Sequence, residues 1–333
     1  MSNTVYHSKH GGMWIDAEDW RERLADRHLS QEDKDRLERF VRDGYIILEQ
    51  AASPEAVDAF QAEIARSFRF GNPDVLFQSH GSQETLPLTE AVDRLGSRVV
   101  DAYVPLRQAL DLFSSPELVR FLRLIFDEDP LLFQGLNFDQ GSQQGLHQDT
   151  AYVVLNRPME LAACWIALED VQAGSGELMY SPGSHRLPDW DFGPDRKHWD
   201  RSVDGDATHD EWSHFLRSKA EASEHGIQTF LARKGDILVW HADLAHGGSP
   251  VTRPELTRQS LVGHFCPLSG RPRYFDHGPI RHTVRRWGSI AYSSGHYDLA
   301  LRDAPEPVAL PEGASSSPHI MADPEAASST NLL

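Results

Sequence analysis

Four times in this chain of 333 residues a histidine stands two positions ahead of an aspartate: His147/Asp149, His198/Asp200, His241/Asp243 and His296/Asp298. An imidazole and a carboxylate can share a first-row transition metal, exchange a proton, or simply hydrogen-bond. With seventeen histidines present, about one or two such pairs arise by chance, so spacing alone selects none of them. Context separates them. His147 and Asp149 fall in GLHQDTAYVV, a strand-like run in which residues i and i+2 point to one face, so the two groups converge. That pair is either a buried hydrogen-bonded couple or two thirds of a metal site. His198/Asp200 lies in a polar stretch where a mobile loop would hold ligands poorly, and it reads as solvated. His296/Asp298 follows the last convincing core strand and reads as a surface pair.

His241/Asp243 is harder, because HADLAH adds His246 and could be a local three-ligand cluster. His246 ends the run GDILVWHADLAH far downstream of His147, and Arg258 lies on the next strand, TRQSLVGHF. Two histidines and one carboxylate on one face leave open positions on a metal, the arrangement of non-haem Fe(II) oxygenases. A dicarboxylate cosubstrate bound at those positions needs a permanently ionised, bidentate donor for its far end, and arginine supplies one.

These side chains need rigid elements to hold them. The first third of the chain reads helical: Ser30 with Asp33 at the capping-box position opens a helix carrying Leu37, Phe40 and Val41, which closes at Gly44. Ser53-Pro54 opens a second, with Val57, Phe60, Ile64 and Phe68 on one stripe. Residues 89–104 and 116–126 read as further amphipathic helices, and YIILEQ as a short strand between the first two. From Leu131 onward the texture changes to LLFQGLNF, GLHQDTAYVVL, AACWIAL, GELMYS, IQTFLA, GDILVWHA and RQSLVGHF, short runs split by turn residues. Strands without interleaved helices predict an antiparallel sandwich or jelly roll rather than a βαβ sheet. The expected organisation is a single domain: a helical region at 1–130 packed on the core, a β-core at 131–302 and a flexible tail at 303–333. The polar, Trp-spotted stretch 187–224 is an irregular insert or lid.

A net charge of −18 with no evident basic patch argues against nucleic acid and anionic membrane surfaces as partners, and suits CoA phosphates poorly. No apolar run approaches the roughly twenty residues of a membrane span. The start, MSNTVYHSKHGGMW, lacks a secretory pattern, and two cysteines make no disulfide framework, so a cytoplasmic setting is expected. The expected partner is a small-molecule substrate; the oligomeric state is unspecified.

From Leu131 to Phe265, GLHQDTAYV, CWIALEDV, GELMYSPGSHRL, KGDILVWHADLAHGGSP and TRQSLVGHF follow one another in a characteristic order. The chain thereby resembles the phytanoyl-CoA dioxygenase-like family of Fe(II)/2-oxoglutarate-dependent oxygenases. The resemblance implies a mainly β fold with helical additions, built on a double-stranded β-helix (jelly-roll, cupin-like) core. It implies His147, Asp149 and His246 as iron ligands and Arg258 as the partner of the 2-oxoglutarate C5 carboxylate. It also assigns the ligand role in HADLAH to the histidine before the Gly/Ser turn, His246, leaving His241 a core or supporting residue. Trp165 aligns with a tryptophan lining the cosubstrate pocket in relatives, with plain core packing as the alternative. Gln134 and Asn137 are candidates for binding cosubstrate or substrate, with buried structural amides as the alternative; Ser249 and Gln148 are further candidates, and His185 orients a turn or touches substrate. Fe(II), 2-oxoglutarate and O2 are the implied cofactor and cosubstrates, and hydroxylation of an unactivated C–H with release of succinate and CO2 is the implied reaction. Related halogenases leave the carboxylate position to a small apolar residue, whereas Asp149 fills it here. The alternatives are a cupin-type metal-dependent oxygenase or isomerase that does not use 2-oxoglutarate, and a non-catalytic barrel binding protein.

Overall fold

Local chemistry sets the limits of the first helices. A short α1 (Trp20–Ala25) precedes α2 (Gln31–Asp43), where the Ser30 side chain accepts from the Asp33 N–H and Gly44, at φ 79°, stops the helix in the left-handed region. After β1 (Tyr45–Leu48), Ser53 caps α3 (Pro54–Phe70) by accepting from the Ala56 N–H. Leu37, Phe40, Val57, Phe60 and Ile64 are buried, as their spacing predicts. The structure, a computed structural model, describes residues 7–79, 81–82, 84–89, 92–277 and 282–302. The tail expected at 303–333 lies outside the described residues.

The chain continues through β2 (Asn72–Ser79), β3 (Leu86–Leu88), β4 (Ser97–Val100), α4 (Arg107–Phe113), α5 (Pro116–Phe126) and β5 (Pro130–Phe138). The helix expected over 89–104 is not formed: 90 and 91 lie outside the described residues, and 97–100 are the strand β4. Val99 and Val100 suit a strand, Val99 pairs opposite Asn137 of β5, and Asp101 at φ 45° ends the run before α4 begins. The region 1–130 is therefore not purely helical; it gives β1 to β4 to the main sheet. Next come β6 (Ala162–Ala167), β7 (Leu178–Tyr180), α6 (Arg201–Glu221), β8 (Gln228–Phe230), β9 (Ile237–His241), β10 (His246–Gly248) and β11 (Ser260–Pro267). The chain then adds α7 (Tyr274–His277), β12 (Arg285–Trp287) and β13 (Ile290–Tyr292).

The main sheet runs β1-β9-β6-β11-β5-β4-β2-β3, with β13 joined to β5 and β12 to β13, and the small sheet runs β10-β7-β8. Among the described residues, only the β13/β5 pairing is parallel. These two sheets make the double-stranded β-helix core that the strand pattern and the resemblance lead one to expect. Alternate residues separate the two faces. Trp165, Leu238, Val262 and Leu136 pack with Leu178 and Phe230 of the small sheet, whereas Cys164, Val239 and Leu261 pack with the helices.

The insert at 187–224 is not irregular throughout. It contains α6, kinked at Gly205 (φ 71°), and Trp212, Leu216 and Ala220 are buried four residues apart along one side. So sparse an apolar stripe in a polar background gives little helical signal in sequence.

Gly44 serves two purposes, because a Cβ there would collide with the His185 ring as well as strain the left-handed backbone. Gly44→Ala is expected to lower stability by about 2 kcal/mol. Urea unfolding should show this as a lower midpoint with an unchanged slope.

Candidate metal centre

His147 and Asp149 converge by a route only partly foreseen. Gln148 is extended (φ −113°, ψ 134°), so its neighbours do project to one side, but the strand expected over 145–155 stops there. His147 makes an isolated antiparallel bridge to His246, with its N–H donating to the His246 carbonyl at 2.8 Å and the His246 N–H donating back at 2.9 Å. Asp149 then opens a 3-10 turn, because its N–H goes to the Ala242 carbonyl and its carbonyl is taken by the Tyr152 and Val153 N–H groups. His246 arrives from the other direction, where the chain leaves β9 of the main sheet and enters β10 of the small one. His147, Asp149 and His246 are all buried, and one donor atom from each lies within 4.8 Å of the others.

Hydrogen bonds select the tautomers. His147 Nδ1 lies 2.9 Å from the Gly145 carbonyl and His246 Nδ1 lies 2.9 Å from the Leu244 carbonyl. A carbonyl only accepts, so both Nδ1 atoms carry the proton and both Nε2 atoms present a lone pair. These Nε2 atoms stand 3.8 and 3.5 Å from Asp149 Oδ1. The other carboxylate oxygen, Oδ2, accepts from Trp240 Nε1 at 2.8 Å, which fixes the group with one oxygen toward the histidines. Burial, reinforced by the charge of His246, pushes the His147 imidazole down to about 3, so it is neutral and able to bind a cation at physiological pH. Burial alone would raise the Asp149 carboxyl, but His246, His264 and His147 outweigh it and hold the group well below the usual carboxylate range. The arrangement suits one divalent metal ion: two imidazoles whose Nδ1–H groups are fixed on carbonyls, and one carboxylate.

The other candidates divide. Arg258 is buried and its guanidinium carbon sits 5.5 Å from the Trp165 ring centroid. Burial pushes its guanidinium down to about 10, against the pull of Glu177 and Glu169, so it stays charged. Those two carboxylates are engaged elsewhere: Glu177 accepts from Ser249 Oγ and the Gly174 N–H, Glu169 from Thr257 Oγ1 and the Gln259 N–H. Arg258 Nε and Trp165 Nε1 are buried with no hydrogen-bond partner among the described residues. Gln134 stands opposite His264 on the inner face of the main sheet. Asn137 is not brought to the site, because it pairs opposite Leu261 and Val99, on the helix-facing side, and donates to the Ser260 carbonyl. His241 also faces outward with Val239 and Ile237; its Nδ1 accepts from the Asp243 N–H and its Nε2 lies 3.4 Å from Asp16 Oδ2. His198 is not solvated as expected but partly buried, and burial pushes it down to about 4. Arg258 precedes β11 rather than lying within it, its N–H donating to the Asp139 carbonyl.

Three neighbours escaped the sequence reading. His264 lies an even number of residues from Arg258, and that parity is the signal that could have found it; Trp240 shares its face with Leu238, which only the structure places inward. Lys197 gave none. Its buried ammonium bridges Asp189 and Asp243, each at 2.5 Å, and the two carboxylates outweigh burial to raise its pKa. Asp243 also accepts from Thr150 Oγ1, and its carbonyl accepts from Gln148 Nε2, while Asp189 accepts from Ser8 Oγ. The insert, the amino-terminal segment and the loop bearing Asp149 are thus joined at one point. Lys197→Met removes the buried ammonium that both carboxylates face and is expected to cost about 3–5 kcal/mol in chemical denaturation.

A family model described as phytanoyl-CoA dioxygenase (PhyH) matches residues 40–259. The ectoine dioxygenase of Nocardia farcinica (strain IFM 10152) is 26% identical over 281 residues, covering 76% of this chain and 88% of that protein. The peroxisomal phytanoyl-CoA dioxygenase of Rattus norvegicus is 22% identical over 256 residues, covering 68% and 66%. Among solved structures, the epimerase SnoN in complex with Fe3+, alpha ketoglutarate and nogalamycin RO superimposes with a TM-score of 0.56 at 19% identity, over 79% of this chain and 98% of that one. EctD from S. alaskensis with bound Fe gives 0.51 at 20% identity, over 74% and 80%. At these identities the two structures attest the fold.

Proposed function

The chain belongs to the phytanoyl-CoA dioxygenase family, and on that footing we propose that it is an Fe(II)- and 2-oxoglutarate-dependent oxygenase that hydroxylates a C–H of a small-molecule metabolite. The observation that carries this reading is the convergence of His147, Asp149 and His246 within 4.8 Å, together with a buried arginine, Arg258, whose Nε has no hydrogen-bond partner among the described residues. His147 Nε2, His246 Nε2 and Asp149 Oδ1 would hold the iron. Arg258 would pair with the distal carboxylate of 2-oxoglutarate, over the Trp165 ring, where Nε and the indole N–H await acceptors. When bound, iron with 2-oxoglutarate and O2 supplies the oxidising power for C–H cleavage and releases succinate and CO2.

The chain's own part is binding, orientation and exclusion of water. Trp240 keeps Asp149 turned so that a single oxygen faces the histidines. Asp149 occupies the ligand position that a halide would need, which favours hydroxylation. The insert covers one flank: Tyr152 lies 5.7 Å from the His147 ring and 5.8 Å from Trp212, which in turn packs on Phe192 at 5.4 Å. This aromatic stack keeps water from His147 and makes the insert the natural lid.

Anaerobic addition of Fe(II) and 2-oxoglutarate to the protein should produce a weak visible charge-transfer band that shifts when substrate displaces water, and a metabolite library can be screened by that shift. With O2, the matched substrate should yield succinate and a product heavier by one oxygen atom. An isomer of unchanged mass would overturn hydroxylation; absence of the band would overturn the cofactor assignment. Asp149→Ala is expected to abolish iron binding and succinate release together. Arg258→Ala should raise the half-saturating 2-oxoglutarate concentration by roughly 10- to 100-fold, the worth of a charge-assisted contact, while leaving iron affinity unchanged.

A further inference from the structure

Residues 7–10 grip the insert from outside the barrel. Ser8 Oγ donates to both Asp189 oxygens at 3.0 Å, and the Lys9 N–H donates to Asp189 Oδ2 at 3.2 Å. The Lys9 ammonium pairs with Asp191 at 2.7 Å and Asp195 at 3.3 Å, and His10 Nε2 donates to the other Asp191 oxygen at 2.8 Å. Three consecutive residues thus hold three aspartates far along the chain. Each exposed pair alone contributes little, but the Asp189 side chain is only 3% exposed and also receives Lys197, so the grip reaches the buried charge network. A cavity of about 20 Å³, room for one water molecule, is lined by His7, Ser8 and Gly11 together with Asp189 and Asp243, which sets this segment over the network.

The gripped part of the insert is tied within itself. Arg196 donates to the Phe192 and His198 carbonyls and to both oxygens of Asp204, which joins 192 to 204 as one piece. The next residue, Gly205, breaks α6 at a left-handed φ of 71° with open space around it, a ready hinge. Asp189 and Asp191 adjoin Trp190 and Phe192, whose rings pack on Phe215 at 5.3 Å and on Trp212 at 5.4 Å. The grip therefore acts next to the aromatic stack that covers His147. We propose that residues 7–10 are a clasp that sets how often the segment 189–204 lifts from Tyr152 and the candidate metal centre, turning about Gly205. With the clasp closed, the stack stays over His147; with it released, the segment opens more often and the centre meets solvent and ligands. The gating role rests on the reading of the insert as a lid over an iron site, whereas the restraint on the segment can be judged without it.

The test compares the full chain with a variant carrying Ser8→Ala, Lys9→Ala and His10→Ala, by amide hydrogen exchange read by mass spectrometry. In peptides spanning 189–204, the Phe192, Arg196 and Trp199 N–H groups donate to the Arg196, Gly193 and Ala151 carbonyls. These peptides should exchange at least about tenfold faster in the variant, while peptides of β6 and β11 stay within about twofold. Asp191→Ala releases Lys9 and His10 from the other side and should speed the same peptides; added to the triple variant, it should contribute no more than about twofold. Arg201→Ala breaks an exposed pair with Asp206 on the same insert and should change nothing. In parallel, each chain is loaded with Zn(II) and mixed with excess EDTA. Stripping should be at least about fivefold faster in the triple variant, because release follows the open population. Unchanged exchange in 189–204, an acceleration shared by β6 and β11 or by Arg201→Ala, or an unchanged stripping rate overturns the clasp. Failure of the unmutated chain to bind Zn(II) would instead overturn the oxygenase reading, and exchange alone would then decide whether the segment is clasped.

Discussion

Two backbone hydrogen bonds, exchanged between His147 and His246 at 2.8 and 2.9 Å, join segments that are far apart in sequence and lock their imidazoles side by side, with ring centroids 4.4 Å apart. The rest of the candidate centre depends on that bridge. It places both Nδ1–H groups against carbonyls of their own loops, at Gly145 and Leu244, so the lone pairs point inward before any ligand arrives. Asp149 completes the set because its N–H is held by Ala242, in the loop that carries His246. Preorganisation of this kind means that a cation meets a formed site rather than having to assemble one.

The bridge is in turn braced from outside the barrel. Asp243, three residues before His246, receives Thr150, Lys197 and, through its carbonyl, Gln148, so the two ligand-bearing loops and the insert share a single buried charge network. Ion pairs with both carboxylates buried contribute less to net stability than to fixing one arrangement, since their desolvation offsets most of the attraction. Here the arrangement fixed is that of the insert over Tyr152 and His147.

Much of this was legible in the sequence where local rules act alone. Ser30, Ser53 and Gly44 mark helix ends through single hydrogen bonds and one backbone angle, and the short β runs after Leu131 announce a jelly roll. His147, Asp149, His246 and Arg258 could be singled out because their residue types and order match one chemistry. Reading failed where long-range pairing overrides local preference. Val99 and Val100 joined a sheet because β5 was there to pair with; the helix of the insert formed because Trp212 found the pocket beside Tyr152 and Phe192.

Residue chemistry along the chain thus determined which groups could form a centre, the capped helices α2 and α3, and the class of fold that would hold them. Tertiary structure decided the rest: that Asn137 and His241 face the helices, that Trp240 and His264 face Asp149, and that Lys197 closes the network behind them. The reason is physical. A strand's two faces are equivalent until a second layer packs on one of them, and a side chain's partner, not its own identity, determines whether a buried imidazole or amide supports the fold or waits for a ligand.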